Sequence, residues 1–479
     1  MKKISVDVAI IGAGTAGLAA YRAATKTGKH AVLIEGGTYG TTCVKVGCMP
    51  SKLLIAAANA AHDARHAHAF GVHAREVHVD GAAVLARVRL ERDHFESFVL
   101  KEVHEIPAEN RLRGHARFVG NTTLQVGDDT EVQARSIVVA TGARPQIPDV
   151  FKPLGDRLHT SDDIFEWPSL PASVAVFGPG PIGLELGQAL HRLGVRIHMF
   201  GDTPGINLLR DPVIQRYASD ALAKEYSLSL GVKVIDAQRQ DEGIQITWKD
   251  AEGKTTTEHF ELALVATGRI ANLDTLGLDQ TDVPMDKHGI PIVDAHTLQA
   301  GATPIFVCGD ANDLMPLLHE AHQQGLIAGT NAGNFPKLQA AERMTPLSVV
   351  FCEPQLIQTG VRHSDLDAGE FVTGRVSFKT QGRSRIMLKN CGLLHVYVAR
   401  KDGKLLGAEG MGPDAEHLAH LLAWAIQQGR TLTELLDMPF YHPTIEEALR
   451  TALRDAASKL SKCRGLSRAA VRQCRPVRP

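Results

Sequence analysis

Two cysteines five positions apart, Cys43 and Cys48, are the residues of this sequence with the clearest capacity for chemistry. They lie in the stretch TTCVKVGCMPSK. Such a pair has three possible interpretations: two thiols without a function, half of a metal site, or a disulfide that is formed and broken during turnover. Because no second pair of ligands stands at a usable spacing, a zinc site is disfavoured and no metal is predicted.

A disulfide between these cysteines requires a break in helical geometry. Five residues of regular helix rise about 7.5 Å, whereas the Cα atoms of a disulfide lie about 4.4–6.8 Å apart. Gly47 permits the distorted turn, and Pro50 and Ser51 suit the opening of the helix that follows. The N-terminal end of that helix would favour a thiolate. A redox disulfide is therefore the favoured interpretation, and two unpaired thiols are the alternative.

The N-terminal segment VDVAIIGAGTAG predicts a nucleotide-binding turn. An apolar strand is followed by Gly12, Gly14 and Gly17 and by an Ala-rich helix, and the next strand ends on Glu35. In dinucleotide-binding units these glycines make the turn, admit the pyrophosphate and let the helix pack closely, and the acid binds a ribose hydroxyl. A purely structural glycine-rich turn is the alternative.

The same pattern returns in SVAVFGPGPIGLELG, which is followed by the strand RIHMF. Its three glycines are Gly178, Gly180 and Gly183. Glu35 lies 23 positions after Gly12, and Gly201 lies 23 positions after Gly178. Two units of equal period predict electron transfer between two bound nucleotides, most simply a flavin and a nicotinamide.

Further strands end in residues that suit a cofactor. IVVATG and ALVATG share the ending Ala-Thr-Gly, which makes Thr141, Gly142 and Gly268 candidate nucleotide contacts. The apolar run PIFVCGD ends on Asp310. A carboxylate at the carboxyl end of a strand is well placed to meet a ligand at the sheet edge.

The order of these patterns predicts an α/β protein with a discontinuous first domain. The first Rossmann-like unit covers residues 1–148 and 269–344, and the second covers residues 149–268. Residues 345–460 change to short strands followed by helices, which predicts a separate α+β domain with an interface role. Residues 461–479 form a tail with six basic residues and no acid, interpreted as a disordered extension, with a docking arm as the alternative.

Composition limits the class of protein. With 44% hydrophobic residues, 22% charged residues and a net charge of -1, the chain is expected to be soluble and globular, without affinity for nucleic acid or a membrane surface. Seven cysteines, an odd number in a long chain, favour a reducing cytoplasmic location. Asp7 interrupts the N-terminal apolar run, which disfavours a signal peptide, and no apolar run reaches the roughly 18 residues of a membrane span.

From residue 4 to about residue 460 the chain resembles the flavoprotein disulfide reductases, the class I pyridine nucleotide-disulfide oxidoreductases. The motif Cys-x4-Cys-x-Pro-Ser-Lys carries the resemblance. It implies FAD in the first unit, a pyridine nucleotide in the second, and a homodimer whose C-terminal dimerisation domain completes the active site of the partner subunit.

The resemblance also assigns roles to single residues. Cys48 would be the thiolate next to the flavin, and Cys43 would exchange with the substrate. Lys52 would lie beside the flavin, paired with Glu185, and Asp310 would bind the ribityl chain.

The C-terminal stretch YHPTIEEALRTAL contains His442 and Glu447. Thr444 and Glu447 have the spacing of a capping box, so a structural role is the alternative. Thiol–disulfide exchange needs a base that works near neutral pH, and a carboxylate would hold its imidazole in one tautomer. The resemblance implies that His442 is this base, acting in the neighbouring subunit, and that Glu447 is its partner.

The second unit departs from both nucleotide patterns of the family. NAD-using members end the second strand of this unit on Glu, and NADP-using members place Arg there, whereas this chain has Gly201 followed by Asp202. Because Asp202 would repel a 2′-phosphate, NAD is predicted, with NADP as the alternative.

Single residues in the cysteine motif and in the second glycine motif bear on the identity of the substrate. Ser51 and Ile182 resemble dihydrolipoamide dehydrogenase more than glutathione reductase, which implies a small dithiol or disulfide substrate and a lipoyl domain of a multienzyme complex as partner. Lys45 and Met49 depart from the Asn and the Ile or Val that are usual there.

Three alternatives stay open. One is a glutathione- or mercuric-reductase-like enzyme, although Cys463 and Cys474 are not the adjacent C-terminal pair typical of the latter. Another is an NAD(P)H:acceptor reductase that uses the flavin alone. The last is a non-catalytic partner of a multienzyme complex that binds through the basic tail.

Overall fold

The computed structural model describes the backbone of residues 1–473 and the side chains of residues 1–462. Its strands are three to ten residues long. In chain order they are β1 (Lys2–Ile11), β2 (Ala31–Glu35), β3 (Arg111–Arg113), β4 (Ala116–Gly120), β5 (Thr123–Val126), β6 (Thr130–Val139), β7 (Ala143–Pro145), β8 (Leu158–Thr160), β9 (Ser173–Phe177), β10 (Arg196–Phe200), β11 (Ser227–Ser229), β12 (Lys233–Gln240), β13 (Gly243–Lys249), β14 (Thr255–Phe260), β15 (Leu262–Val265), β16 (Arg269–Ala271), β17 (Ile305–Val307), β18 (Leu347–Val350), β19 (Gln355–Gly360), β20 (Phe371–Ser377), β21 (Leu393–Ala399) and β22 (Leu405–Gly412).

The α-helices connect and cover these strands. They are α1 (Thr15–Lys26), α2 (Thr42–Lys45), α3 (Cys48–His66), α4 (Gly81–His104), α5 (Pro181–Arg192), α6 (Pro212–Leu222), α7 (Leu318–Asn334), α8 (Gly382–Ile386), α9 (Ala415–Gln427), α10 (Leu432–Leu436) and α11 (Glu447–Gln473).

The first sheet has the order β3-β2-β1-β6-β5-β4, and β17 pairs with the second half of β6. The pairs β3–β2, β2–β1, β1–β6 and β6–β17 are parallel. Because β17 comes from far along the chain, the first unit is closed by residues that follow the second unit. Helices α1 and α7 pack against each other beside this sheet.

The second sheet, in the order β11-β10-β9-β15-β8, is parallel throughout. A three-stranded antiparallel sheet, β12-β13-β14, flanks it, and the two-stranded pair β7–β16 lies between the two nucleotide-type units. The third large sheet, β18-β19-β22-β21-β20, is antiparallel, and α9 and α11 pack on it. The predicted fold class is therefore confirmed, whereas the exact domain boundaries stay predictions.

The two units repeat the same internal contact. A side chain on Gly12 would lie 2.3 Å from the Ala140 carbonyl oxygen, and one on Gly178 would lie 2.4 Å from that of Ala266. Both glycines also have positive φ angles, 104° and 99°. In each unit the glycine turn thus lies directly against the strand that ends in Ala-Thr-Gly, which explains why the two motifs occur together.

The C-terminal end differs from the sequence-based expectation. Helix α11 continues to Gln473, so the backbone of residues 461–473 is helical and not the disordered extension that was expected. The remainder of the predicted tail, residues 474–479, lies outside the described residues, as do the side chains of Cys463 and Cys474. Within residues 1–473, no helix has the length and apolar character needed to cross a membrane.

Candidate functional site

Cys43 and Cys48 lie on either side of a break between two helices. Cys43 is in the short helix α2, and Cys48 is the first residue of α3, whose first turn contains Pro50 and Ser51. Gly47 forms the break, and a Cβ there would lie 3.1 Å from Cys43 Cα. The lack of a side chain at Gly47 lets the chain turn back on itself, which brings the two thiols within hydrogen-bonding reach of each other.

The two thiols differ in their affinity for a proton. The hydrogen bond between them lowers the pKa of Cys48 to about 7, with a further contribution from the positive charge of Lys52. The same hydrogen bond, together with burial, raises the pKa of Cys43. When both are reduced, Cys48 is therefore the first of the two to lose its proton as pH rises through neutrality.

A partly buried ion pair lies next to Cys48. Lys52, one turn along α3, places its Nζ 2.6 Å from Glu185 Oε2 of α5. The side chain of Glu185 is 8% exposed, and its second oxygen accepts a hydrogen bond from the Phe351 backbone N–H at 3.0 Å. Lys52 Nζ also lies 4.6 Å from the centre of the Phe351 ring. The predicted partners Lys52 and Glu185 are thus in contact.

The first unit offers a cradle for a nucleotide. Glu35 accepts hydrogen bonds from the backbone N–H groups of Ala13, at 2.8 Å, and Gly37, at 2.6 Å, and so lies beside the glycine turn. A Cβ on Gly14 would meet no atom within 4 Å, whereas one on Gly17 would lie 1.8 Å from the Gly12 carbonyl oxygen. The second glycine therefore leaves open space for a phosphate at the start of α1, and the third is required for packing.

The strand ends of the first unit fit a polar cofactor. Val139 of β6 pairs with Val307 of β17, which brings Thr141 and Asp310 to neighbouring strand ends. The hydroxyl of Thr141 is buried without a hydrogen-bond partner in the structure. Burial raises the pKa of Asp310, while the charge of Arg269 acts in the opposite direction. A ligand with hydrogen-bonding groups, such as a flavin nucleotide, would satisfy these atoms.

The second unit repeats the open glycine. A Cβ on Gly180 would meet nothing within 4 Å, and one on Gly183 would lie 2.0 Å from the Gly178 carbonyl oxygen. At the end of β10, a Cβ on Gly201 would lie 2.7 Å from Pro179 Cγ, whereas Asp202 is exposed. The Pro179 ring and the end of the Leu230 side chain thus occupy the space that a side chain at position 201 would need.

Two further predicted contacts, Gly142 and Gly268, lie where the units join. They follow β6 and β15, have positive φ angles of 67° and 135°, and precede the paired strands β7 and β16. The Gln146 backbone N–H donates to the Gly268 carbonyl oxygen at 2.9 Å. Both glycines allow the turn from a parallel strand into the β7–β16 connection, and their contact with a nucleotide stays a prediction.

His442 and Glu447 form a pair in the C-terminal domain. His442 Nδ1 lies 3.0 Å from Glu447 Oε2, which also accepts from the Thr444 N–H at 3.2 Å. The Thr444 hydroxyl donates to the Tyr441 carbonyl oxygen, so only one half of the expected capping box is present. Among the described residues of one chain, the pair makes no hydrogen bond with either cysteine of the Cys43–Cys48 pair.

Phe351 is the residue that sequence analysis missed. It comes from the C-terminal domain and touches both members of the Lys52–Glu185 pair. Its only signal in the sequence is its place at the end of the apolar run LSVVF, which is also the signal of an ordinary core residue.

Comparison with known proteins identifies the class. Residues 6–325 match the family model of the pyridine nucleotide-disulphide oxidoreductases, and residues 347–453 match the dimerisation domain of that family. The chain belongs to this family of FAD-dependent enzymes, as the sequence analysis predicted. The family implies FAD and a pyridine nucleotide as cofactors, and the dimerisation domain points to a homodimer.

Several curated relatives span nearly the whole chain. Dihydrolipoyl dehydrogenase of Halobacterium salinarum is 30% identical over 467 residues, covering 94% of this chain and 96% of the relative. Dihydrolipoyl dehydrogenase 2 of Haloarcula marismortui is 29% identical, with coverages of 93% and 95%. Mercuric reductase of Shigella flexneri is 30% identical, with coverages of 96% and 83%.

Solved structures share the fold. The Cu(II) complex of the HOCl-induced flavoprotein disulfide reductase RclA from Escherichia coli superimposes with a TM-score of 0.80 at 20% identity, covering 95% of this chain and 99% of that one. LpdA from Mycobacterium tuberculosis gives a TM-score of 0.80 at 23% identity, with coverages of 95% and 99%.

Proposed function

We propose that the chain is a dihydrolipoyl dehydrogenase that passes two electrons from a dihydrolipoyl dithiol to NAD through the Cys43–Cys48 disulfide. One observation carries the proposal: two adjacent thiols with opposite shifts in pKa lie beside a partly buried Lys–Glu ion pair. Idle thiols need no such asymmetry, whereas a disulfide relay needs one sulfur that exchanges and one that is stable as a thiolate.

The exchange follows from this asymmetry. His442 of the partner subunit takes a proton from one substrate thiol, and the resulting thiolate attacks Cys43 Sγ, which breaks the Cys43–Cys48 bond and releases Cys48 as a thiolate. The second substrate thiol then attacks the substrate sulfur that is bonded to Cys43. This closes the substrate disulfide and breaks the bond to Cys43, which leaves as a thiolate and takes up the proton of the second thiol. The substrate has lost two electrons and two protons: the cysteine pair has gained the electrons, and His442 of the partner subunit and Cys43 hold one proton each.

FAD and NAD would lie in the two glycine cradles. Glu35, Thr141 and Asp310 would hold FAD over Gly14, and Gly180 would admit the pyrophosphate of NAD. Bound flavin supplies the two-electron relay between the dithiol and the nicotinamide. The Lys52–Glu185 pair places a positive charge beside Cys48 and so favours its thiolate.

The choice of substrate rests on the relatives together with Ser51 and Ile182. Relatives named dihydrolipoyl dehydrogenase cover 93–94% of this chain at 29–30% identity. A lipoyl domain of a multienzyme complex is accordingly the proposed macromolecular partner. The exposed carboxylate of Asp202, which would repel a 2′-phosphate, supports NAD over NADP.

The test is a comparison of electron acceptors. The purified enzyme is assayed with NADH and lipoamide, glutathione disulfide or Hg(II), each over a range of concentrations. We expect lipoamide to give the highest kcat/KM by at least about a factor of 10. A higher kcat/KM with glutathione disulfide or Hg(II) would refute the proposed substrate and leave the dithiol relay in place.

A further inference from the structure

The segment that follows β18 is fixed against α5. The Glu353 backbone N–H donates to Gln188 Oε1 at 2.7 Å, and Gln188 Nε2 donates back to the Glu353 carbonyl oxygen at 2.7 Å. Arg192 Nη2 reaches the same carbonyl at 3.2 Å. Glu185, Gln188 and Arg192 lie along one face of α5, so this face carries the backbone of residues 351–353 as a rigid strip.

This attachment determines the position of Phe351. Its backbone N–H binds one oxygen of Glu185 while its ring lies against Lys52 Nζ, which binds the other oxygen. The C-terminal domain therefore holds an ion pair formed by two helices of the nucleotide-type units. A cation over an aromatic face at this distance is attracted to the ring.

We propose that Phe351 is a positioning residue that holds the Lys52 ammonium between Glu185 and Cys48. The inference rests on the proposed function, because its purpose is to keep the sulfur of Cys48 ready as a thiolate. Four groups set the charge around this sulfur: Cys43 from α2, Lys52 from α3, Glu185 from α5, and the N-terminal end of α3 itself. Of these, Lys52 has the longest and most flexible side chain and gains most from a support.

An ordinary packing role for Phe351 makes a different prediction. If the ring only fills space at the junction of the domains, a leucine of similar bulk would serve, and any loss would be one of stability. If the ring holds Lys52, leucine would free the ammonium to move away from Cys48, and tyrosine, which keeps the aromatic face, would restore the effect.

The experiment measures the pKa of Cys48 in reduced holoenzyme that carries Cys43→Ser, so that Cys48 is the only thiol of the pair. The rate of iodoacetamide labelling at Cys48 is followed from pH 5 to 10 by peptide mass spectrometry. We expect Phe351→Leu to raise the pKa by about half a unit, Phe351→Tyr to leave it at the parent value, and Phe371→Leu, an aromatic of the same domain, to have no effect. Phe351→Met is expected to raise the pKa as Phe351→Leu does. It is the variant to use if Phe351→Leu loses FAD.

Two results would overturn the inference: an unchanged pKa in Phe351→Leu, or an equal shift in Phe351→Tyr. Labelling needs no substrate and uses the Cys43→Ser background. Its outcome therefore does not depend on whether the enzyme with both cysteines turns over lipoamide. If the enzyme fails to turn over lipoamide but the Phe351 variants show the expected shifts in the pKa of Cys48, the proposed substrate is refuted and the role of Phe351 stands.

Discussion

His442 Nδ1 lies 3.0 Å from Glu447 Oε2, and 79% of the His442 side chain is exposed. The carboxylate holds one ring nitrogen, and the hydrogen bond from His442 lowers the pKa of Glu447, which keeps it ionised. With Nδ1 engaged, Nε2 is left as the atom that can accept a proton. An imidazole that is oriented in this way and open to the surface suits a base that acts on a substrate bound by another subunit.

Replacing His442 tests this assignment. His442→Gln is expected to lower kcat/KM for lipoamide by about 10²–10⁴-fold, the usual contribution of a general base. Reduction of ferricyanide by NADH, which bypasses the thiols, should be unchanged. His420→Gln, at another exposed histidine of the same domain, serves as the control; an equal loss in both variants would contradict a special role for His442.

Cys43→Ser separates the dithiol relay from chemistry of the flavin alone. The variant lacks the sulfur that would exchange with substrate, so lipoamide turnover should fall to the uncatalysed level while NADH still reduces the flavin. The measurement pairs lipoamide turnover with rapid-mixing flavin reduction. Full activity of Cys43→Ser with the natural acceptor would favour the flavin-only alternative.

The reactivity of Cys48 should follow pH in a defined direction. Since its pKa is about 7, labelling of the reduced enzyme should rise as pH increases through neutrality and level off above pH 8. Lys52→Met removes a stabilising positive charge and should raise this pKa by about one unit. Lys45→Met, which removes a cation that hydrogen-bonds Thr38, should leave it unchanged. If Lys52→Met and Lys45→Met raised the pKa of Cys48 equally, the shift would reflect the loss of any nearby positive charge and not the position of Lys52.

Features that are set by neighbouring residues could be predicted from the sequence, whereas contacts between distant segments could not. The glycine turns and the strands that follow them are local patterns, so the two nucleotide-type units and the change to an α+β third domain were predictable. Phe351 was not, because its partners Lys52 and Glu185 are brought to it only by the packing of three separate segments. The opening of α3 was predictable because it is local: Pro50 and Ser51 lie in the first turn of this helix, which begins at Cys48.

Asp202 is expected to decide the choice of nicotinamide nucleotide. Asp202→Arg should shift the ratio of kcat/KM for NADPH over NADH by about 10-fold or more, because it exchanges repulsion for a charge-assisted contact with the 2′-phosphate. Gly201→Glu should not improve NADH use by itself, since Pro179 and Leu230 occupy the space of its Cβ. Gly201→Glu combined with Pro179→Gly and Leu230→Ala should improve it. A gain in Gly201→Glu alone would show that this space is free.

A buried cluster joins the second unit to the C-terminal domain and should govern stability in acid. Asp211 Oδ2 lies 2.6 Å from His395 Nδ1 and 3.2 Å from the Tyr397 hydroxyl, and all three residues are buried. Burial alone would raise the pKa of Asp211, but the hydrogen bond and charge of His395 outweigh it and lower the pKa to about 2. The ionised carboxylate therefore stabilises the fold above about pH 4, and this contribution is lost as pH falls towards 2.

The corresponding variant is Asp211→Asn. Breaking a buried pair costs about 3–5 kcal/mol, so the midpoint of urea unfolding at pH 7 should fall clearly and should change less between pH 5 and 3 than that of the parent. Asp156→Asn removes a surface pair with Arg239 and should cost less than about 1 kcal/mol. An equal loss of stability in Asp211→Asn and Asp156→Asn would show that the buried cluster contributes no more than a surface ion pair does.

The central claim is that electrons pass through the Cys43–Cys48 pair, and an anaerobic titration tests it most directly. The purified enzyme is titrated with NADH, followed by its absorbance spectrum, and then mixed with lipoamide. The account predicts a long-wavelength band from a Cys48 thiolate beside oxidised flavin after two electrons, and its loss when lipoamide is added. Bleaching of the flavin without such a band would contradict the account, because the electrons would then stay on the flavin and the cysteine pair would not carry them.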